Sequence, residues 1–462
     1  MAKLISKKDL PYKNKGDLTT GPIHKHLIRL TLPMIWGIFA VISVQLADTY
    51  FIGLLGTEEL AAISFTFPVT MLLTHLIFGL NIAVSSVVSR LIGEKQKEDV
   101  KRVVQHAVIL AFITSVVFAA LTYIFLDPVF RALGADGQML AIIHEYMPIW
   151  LLGYCLIAIP MNGNSAIRAS GNAMHPAIVM TTVSIVNIVL DPIFIFGKFG
   201  LPAYGVQGAA IATVIAYICG MVLGLYFLIV REKLICLSSL HLDKVKDSLK
   251  RLGVIALPAG ITNTIVPAGN AVILAMLAGF GAEVVAAYGV ATRIEAFAML
   301  TIIALATGLA PVVGQNWGAK IYERVHGAIN MAIKFNLYWS FAAAIILGLF
   351  ARQIAGAFSD DPIVIHYSVL FFWIVPFSYA FGNLVFGWSS AFNAMGMPER
   401  SFMMIVGKAA LTLIGAYVGS LYFGVIGVFG ALAGANVLSG ALSHWISWRT
   451  CLKTEGQRQA AD

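Results

Sequence analysis

Apolar residues gather into long runs separated by short polar or Gly/Pro-rich breaks, with Val108 to Phe125, Ala209 to Val230 and Leu337 to Phe350 among the clearest. Such runs exceed what one face of a soluble helix buries and suit the roughly 20 apolar residues that carry a helix across a bilayer. The breaks divide the chain into twelve predicted helices, at 27–53, 60–90, 102–126, 139–168, 174–197, 205–230, 250–280, 284–314, 323–350, 363–393, 400–423 and 425–449. The pattern predicts an all-α integral membrane protein.

Composition agrees. The chain is 59% hydrophobic and 12% charged, with a mean hydropathy of +0.85, whereas a soluble domain carries about 25% charged residues. The first 26 residues are polar and basic without the apolar core of a secretory signal, which predicts a cytoplasmic N-terminal segment over 1–26. The net charge of +8 is read by where it sits. With that N-terminus inside, every Lys and Arg except Arg131, Lys198, Arg352 and Arg293 falls on cytoplasmic segments or adjoining helix ends. The asymmetry predicts both termini inside the cell, in a multi-pass protein of a prokaryotic plasma (inner) membrane. It also assigns the basic excess to orientation and anionic lipid, with no nucleic-acid partner. Cys155, Cys219, Cys236 and Cys451 are scattered, without zinc, haem or disulfide spacing.

The chain is also internally duplicated at a constant interval of 225 residues. Leu32-Pro33 matches Leu257-Pro258, Gly56-Thr57-Glu58 matches Gly281-Ala282-Glu283, Gly93 and Lys95 match Gly318 and Lys320, and Gly171 matches Gly396. After a three-residue deletion, Gly205-Val206-Gln207-Gly208 matches Gly427-Val428-Phe429-Gly430. Two six-helix lobes follow, over 27–230 and 250–449, with an inter-lobe linker at 231–249 and a cytoplasmic tail at 450–462. An even number of helices per repeat gives both lobes one orientation, so a pseudo-two-fold along the membrane normal relates them and a central cavity lies between.

Charge within hydrocarbon is costly, so ionisable residues there are functional candidates. They are Asp48, Asp191, Arg293 and Glu295. Asp48 and Asp191 lie at similar depth in the outer half of the first and fifth helices, while their duplicated counterparts are Ile273 and Ala416. Met180, Ser184, Asn187 and Asp191 fall on one helix face, and Gln45 and Asp48 share another. With Thr213, these groups form either a proton-binding carboxyl pair or an oxygen-ligand site for a hard cation such as Na+. The bland readings are a carboxylate at the headgroup level or capping a kinked turn. Arg293 and Glu295, two apart, line the second lobe's cavity or belong to a structural network. His75 and His444 read as packing residues. Pro33 and Pro258 each bend the first helix of a lobe, statically or as part of a cycle.

No phosphate-binding loop, dinucleotide fingerprint or HExxH motif is present, and no nucleophile, base and orienting group stand at recognisable spacing, so an enzyme is not expected. Transport would then draw on an ion gradient, where 100 mV supplies about 2.3 kcal/mol per charge. No cofactor beyond a coupling ion, H+ or Na+, is expected.

These residues resemble a known family. The duplicated twelve-helix plan, the Leu-Pro of the first helix, Ala47 to Gly53, Gly56 to Ala62, and Asn187 to Asp191 in "NIVLDPIF" are similar to the multidrug and toxic compound extrusion (MATE) family, and most to its DinF-like prokaryotic branch. The resemblance implies the MATE/MOP-type two-lobe fold and efflux of cationic or amphipathic organic compounds by antiport with H+ or Na+. It further implies an ion or proton site at Asp48, Asn187, Asp191 and Thr213, a bend at Pro33, and a substrate cavity that includes Asn164 and Met180, with Gln45 and Ser184 sharing the polar faces. Cavity walls of Met, Phe and aliphatic residues suit lipophilic cations. A monomer is expected. The leading alternative is a flippase for lipids or lipid-linked precursors, which would call for several cavity arginines; a membrane-embedded enzyme and a channel are weaker rivals.

Overall fold

The computed structural model describes residues 16–135, 137–235 and 242–459, with side chains described as far as Arg449; Cys236, Cys451 and the first fifteen residues of the expected N-terminal segment lie outside the described residues or side chains. Helices dominate. The first half comprises α1 (Ile23–Gly53), α2 (Thr57–Gly93), α3 (Lys97–Ile124), a short α4 (Leu126–Ala132), α5 (Gly137–Ala169), α6 (Met174–Phe196) and α7 (Gly205–Tyr226). The second comprises α8 (Val245–Ala278), α9 (Ala282–Gly318), α10 (Tyr322–Leu349), a short α11 (Ala351–Gly356), α12 (Pro362–Ile374), α13 (Tyr379–Met395) and α14 (Pro398–Gln459). Among the described residues, eleven helical stretches are long and apolar enough to cross a bilayer. The last is a hairpin: Gly424 leaves helical geometry at φ 58° and ψ −139°, and Gly419 packs directly on Gly427. That division gives the twelve spans of the sequence pattern.

Boundaries differ where local chemistry overrides hydropathy. α8 begins at Val245, so the end of the expected 231–249 linker is already helical, and the final helix runs beyond 449 to Gln459. The span expected at 363–393 is broken by a 3-10 turn at Pro376–Ser378. Pro376 brings no N–H to the helical ladder, and the Ser378 hydroxyl donates to the Val375 carbonyl at 2.6 Å. α1 runs unbroken through Pro33.

The duplication is written into the backbone. Lys95 and Lys320 both take φ of 60°, Gly171 and Gly396 take 89° and 81°, and the short helices α4 and α11 begin 225 residues apart. The halves meet near the end of the molecule that carries residues 16–22 and the start of α1, called here the basic end. A Cβ on Gly93 would collide with the Gln315 carbonyl, and one on Gly318 with the Arg90 carbonyl. Gly79 approaches Gly260 as closely, with a Cβ on Gly79 only 2.7 Å from the Gly260 Cα. Leu27, Leu30 and Met34 of α1 share one apolar core with Ala304, Leu309 and Val312 of α9. Residues 16–21 lie across this seam. Leu18 N donates to Gln315 Oε1 at 3.1 Å, Asn316 Nδ2 to Leu18 O at 3.1 Å, and Arg324 Nη1 to Gly21 O at 2.8 Å.

One ridge of α9 traces the seam. Leu300, Ala304, Gly308, Pro311 and Gln315 succeed one another at helical spacings of three or four, and all are buried. The same ridge continues toward the opposite end through Phe297, Arg293, Val290 and Ala286, where the first two and the last are exposed. On α1 the buried Leu27, Thr31 and Met34 likewise give way to the exposed Val41, Gln45 and Thr49. The halves are therefore sealed at the basic end and parted by a cleft at the other.

If the backbone contact at Gly318 holds the seal, Gly318→Leu forces the halves apart at the basic end and costs about 1–3 kcal/mol through overpacking. Gly253→Leu, which adds its side chain to open space, serves as control. Spin-label distances across the basic end and thermal melting are expected to change in the first variant and not in the second.

Candidate functional site

Within the first half, α6 presents Ser184, Asn187 and Asp191 inward because they follow one another at intervals of three and four. All three are buried, Asp191 at 0% exposure and Asn187 at 2%. α1 faces this stripe. A Cβ on Gly37 would meet Met180 Sδ at 3.2 Å and Ala177 Cα at 3.3 Å, a close approach that carries Asp48, eleven residues on, to Asp191. The two carboxyl groups lie within hydrogen-bonding reach of each other. Asn187 Nδ2 donates to Asp191 Oδ1 at 3.4 Å and to Thr213 Oγ1 at 3.2 Å. Thr213 in turn donates to the Ala209 carbonyl at 2.9 Å.

Four oxygens here are sealed from solvent without a hydrogen-bond partner among the described residues: Asp48 Oδ1, Asn187 Oδ1, Asp191 Oδ2 and Ser184 Oγ. Buried acceptors left unmatched are costly. Two carboxylates in contact repel unless a proton or a cation stands between them. Oxygen donors of this kind, two of them carboxylates, suit a proton or a monovalent hard cation; among the described residues no group of three or more His, Cys, Asp or Glu side chains is placed to hold a metal ion. Tyr146 of α5 and Tyr217 of α7 complete the surround, each within electrostatic range of Asp48. Sequence reasoning passed over both; comparing the depth of aromatic residues on neighbouring spans with that of the acids was the available signal.

The remaining expected cavity residues are not gathered here. Gln45 is exposed on the cleft ridge of α1. Asn164 is buried five residues from the basic end of α5, with its Oδ1 unpartnered, far along the membrane normal from Asp191. Met180 sits in the inner part of α6 against Gly37. In the second half, Glu295 and Arg293 diverge. Glu295 lies in electrostatic range of Lys408 and Tyr379, while Arg293 is exposed on the cleft ridge. Lys408 was expected near a cytoplasmic helix end. It lies ten residues inside α14, with its Nζ 3.4 Å from the Gly382 carbonyl, and Lys334 lies twelve residues inside α10. Arg293 is thus not the sole cation deep in a span, because a helix starting at Tyr322 or Pro398 places those lysines about three turns in.

A family model described as MatE matches residues 33–193 and 258–418, two stretches separated by the 225-residue interval of the duplication. The chain is 36% identical over 440 residues to the FAD transporter of Shewanella oneidensis, covering 95% of this chain and 97% of that protein. It is 25% identical to the multidrug export protein MepA of Staphylococcus aureus, covering 90% and 92% respectively. The structure of the Vibrio cholerae MATE transporter VcmN in the bent form superposes with a TM-score of 0.88 at 29% identity, over 94% of this chain and 98% of that one. Two matched repeats, a twelve-span fold shared with MATE transporters and a sealed oxygen cluster in one lobe lead to one conclusion: the chain belongs to the MatE family and is a multi-pass membrane transporter of small organic compounds, not an enzyme.

Proposed function

We propose that this transporter exports an aromatic, phosphate-bearing compound of the flavin dinucleotide kind by antiport with H+ or Na+. The coupling ion is held by Asp48, Asn187, Asp191 and Thr213. The carrying observation is the set of sealed, unpartnered oxygens around the two carboxyl groups. Its counterparts in the other half are Ile273, Thr412 and Ala416, so the shared helical frame does not require acids there. The basic end, by its charge, faces the cytoplasm, the protein sits in the plasma (inner) membrane of a prokaryote, and both termini are inside. Since one chain supplies both walls of the cleft, it works as a monomer.

In the cycle that follows, the form sealed at the basic end faces outward. Ion entry from the cleft neutralises the carboxyl pair and removes the repulsion between α1 and α6. The cleft then closes over an emptied site, the seal between α2 and α9 parts, and the ion leaves inward as new cargo binds.

The flavin reading draws on the Shewanella relative's name and on the cleft. On the exposed stretches of the ridges of α1 and α9, Arg293 is the only Asp, Glu, Lys or Arg. The second reading, organic cations as cargo, is favoured by relatives named as multidrug exporters and by the exposed ring of Phe297 on the cleft ridge, which can meet a cation. A lipid or lipid-linked cargo is the third outcome to be tested.

Proteoliposomes decide among them. Flavin dinucleotide and ethidium are each followed under an imposed proton gradient and under an imposed sodium gradient. Flavin movement driven by one gradient is expected, and the effective gradient names the ion; movement of ethidium alone would transfer the assignment to cations, and movement of neither would turn attention to lipid. Asp48→Asn and Asp191→Asn are each expected to abolish gradient-driven movement while cargo binding persists, because each amide replaces one carboxyl of the pair and removes the repulsion that the ion's arrival and departure would switch. Ile273→Asn, the equivalent position in the other half, is expected to leave coupling intact.

A further inference from the structure

Arg293 is the residue whose position the ion cycle leaves unexplained. It stands eleven residues into α9, about 16 Å from the outer end at about 1.5 Å per residue, and is exposed. Seven residues further, about 10 Å deeper, the ridge closes at the buried Leu300. Arginine stays charged at any physiological pH and is expensive in hydrocarbon. A guanidinium at this depth is tolerated where it meets water, and the ridge it occupies opens into the cleft.

No described protein group neutralises it. Among the described residues Arg293 has no ion pair or hydrogen bond. Glu295, its nearest acid in sequence, turns instead toward Lys408 and Tyr379 inside the second half. Nor does the fold need a cation at this place, since the duplicated counterpart of Arg293 is Pro68 on α2. Around it the cleft offers groups that suit a ring system. Phe297, one turn deeper on the same ridge, is 42% exposed. The exposed amides Gln45 of α1 and Asn270 of α8 are counterparts under the duplication, so they approach the cleft from its two sides.

From this we infer that Arg293 is the specificity-determining residue for cargo: its planar fork of donors holds the phosphate oxygens of an aromatic organophosphate, while Phe297 and the paired amides meet the ring system. Arginine suits the task because two parallel N–H groups match two phosphate oxygens. The inference rests on the proposed export of such a compound and adds which residue selects it.

The test separates the two. Binding to purified transporter in lipid nanodiscs is measured for flavin dinucleotide, flavin mononucleotide and riboflavin, which share one ring system and differ in phosphate content, and for ethidium. Wild type is expected to prefer both phosphorylated flavins over riboflavin. Arg293→Gln is expected to weaken the phosphorylated flavins by about tenfold or more, the loss of one charge-assisted contact, and to leave riboflavin unchanged. Arg293→Lys is expected to restore part of the preference, with melting temperatures confirming that both variants fold. A wild-type preference that survives in Arg293→Gln overturns the role of Arg293 and leaves the cargo reading standing. Equal weakening of all three flavins would make Arg293 structural. Wild type that binds ethidium and no flavin would remove the cargo reading and this inference together.

Discussion

Everything in this molecule that could move depends on how closely α2 and α9 touch at the basic end. Glycine at 93 and at 318 lets each helix set its backbone against a carbonyl of the other, which no residue with a Cβ allows. Lipid offers no hydrophobic drive between spans, so close packing of small residues is what holds such helices together. From that seal the ridges of α1 and α9 rise into open space, and the cleft exists because the contact is confined to one end. A side chain at either glycine would change the angle between halves before it changed either half internally.

The duplication turns the structure into its own control. Equal backbones in the two halves carry unequal chemistry: Asp48, Asn187 and Asp191 in one correspond to Ile273, Thr412 and Ala416 in the other, while Glu295 and Lys408 correspond to Thr70 and Val183. The second half therefore holds an acid and a base within electrostatic range of each other, whereas the first holds two acids against each other. Juxtaposed acids make a group whose occupancy by a proton or cation decides whether α1 and α6 attract or repel.

Much of this was legible in the sequence because it rests on long periodicity. Twelve spans, the repeat interval and the shared face of Ser184, Asn187 and Asp191 all follow from the hydrophobic pattern and 3.6-residue spacing. What escaped has identifiable causes. The break at Pro376 is a local loss of one N–H inside an otherwise apolar run. Lys334 and Lys408 were grouped with helix ends although the predicted spans at 323–350 and 400–423 already placed them eleven and eight residues in, since the charge asymmetry alone decided their side. Tyr146 and Tyr217 belong to helices distant in sequence from Asp48, and only packing brings them there. That Gln45 and Asp48 part company, one toward the cleft and one inward, reflects the angle between faces one turn apart on a helix that has neighbours on two sides.

That divergence on α1 bears on how an ion could act on cargo. The stretch from Leu27 to Met34 is locked into the seam with α9, and Pro33 lies at its upper edge, where the ladder of backbone hydrogen bonds lacks one N–H. Beyond it the same helix carries Gln45 on the open ridge and Asp48 against Asp191. Under the proposed coupling, neutralising the carboxyl pair changes the force on the upper part of α1 only, because the lower part is held by a different half. A segment pinned below, pulled from one side and free to bend at a proline would move the wall of the cleft directly. No relay of side chains is then needed between ion and cargo, since both act on adjacent strips of one helix, one turn apart.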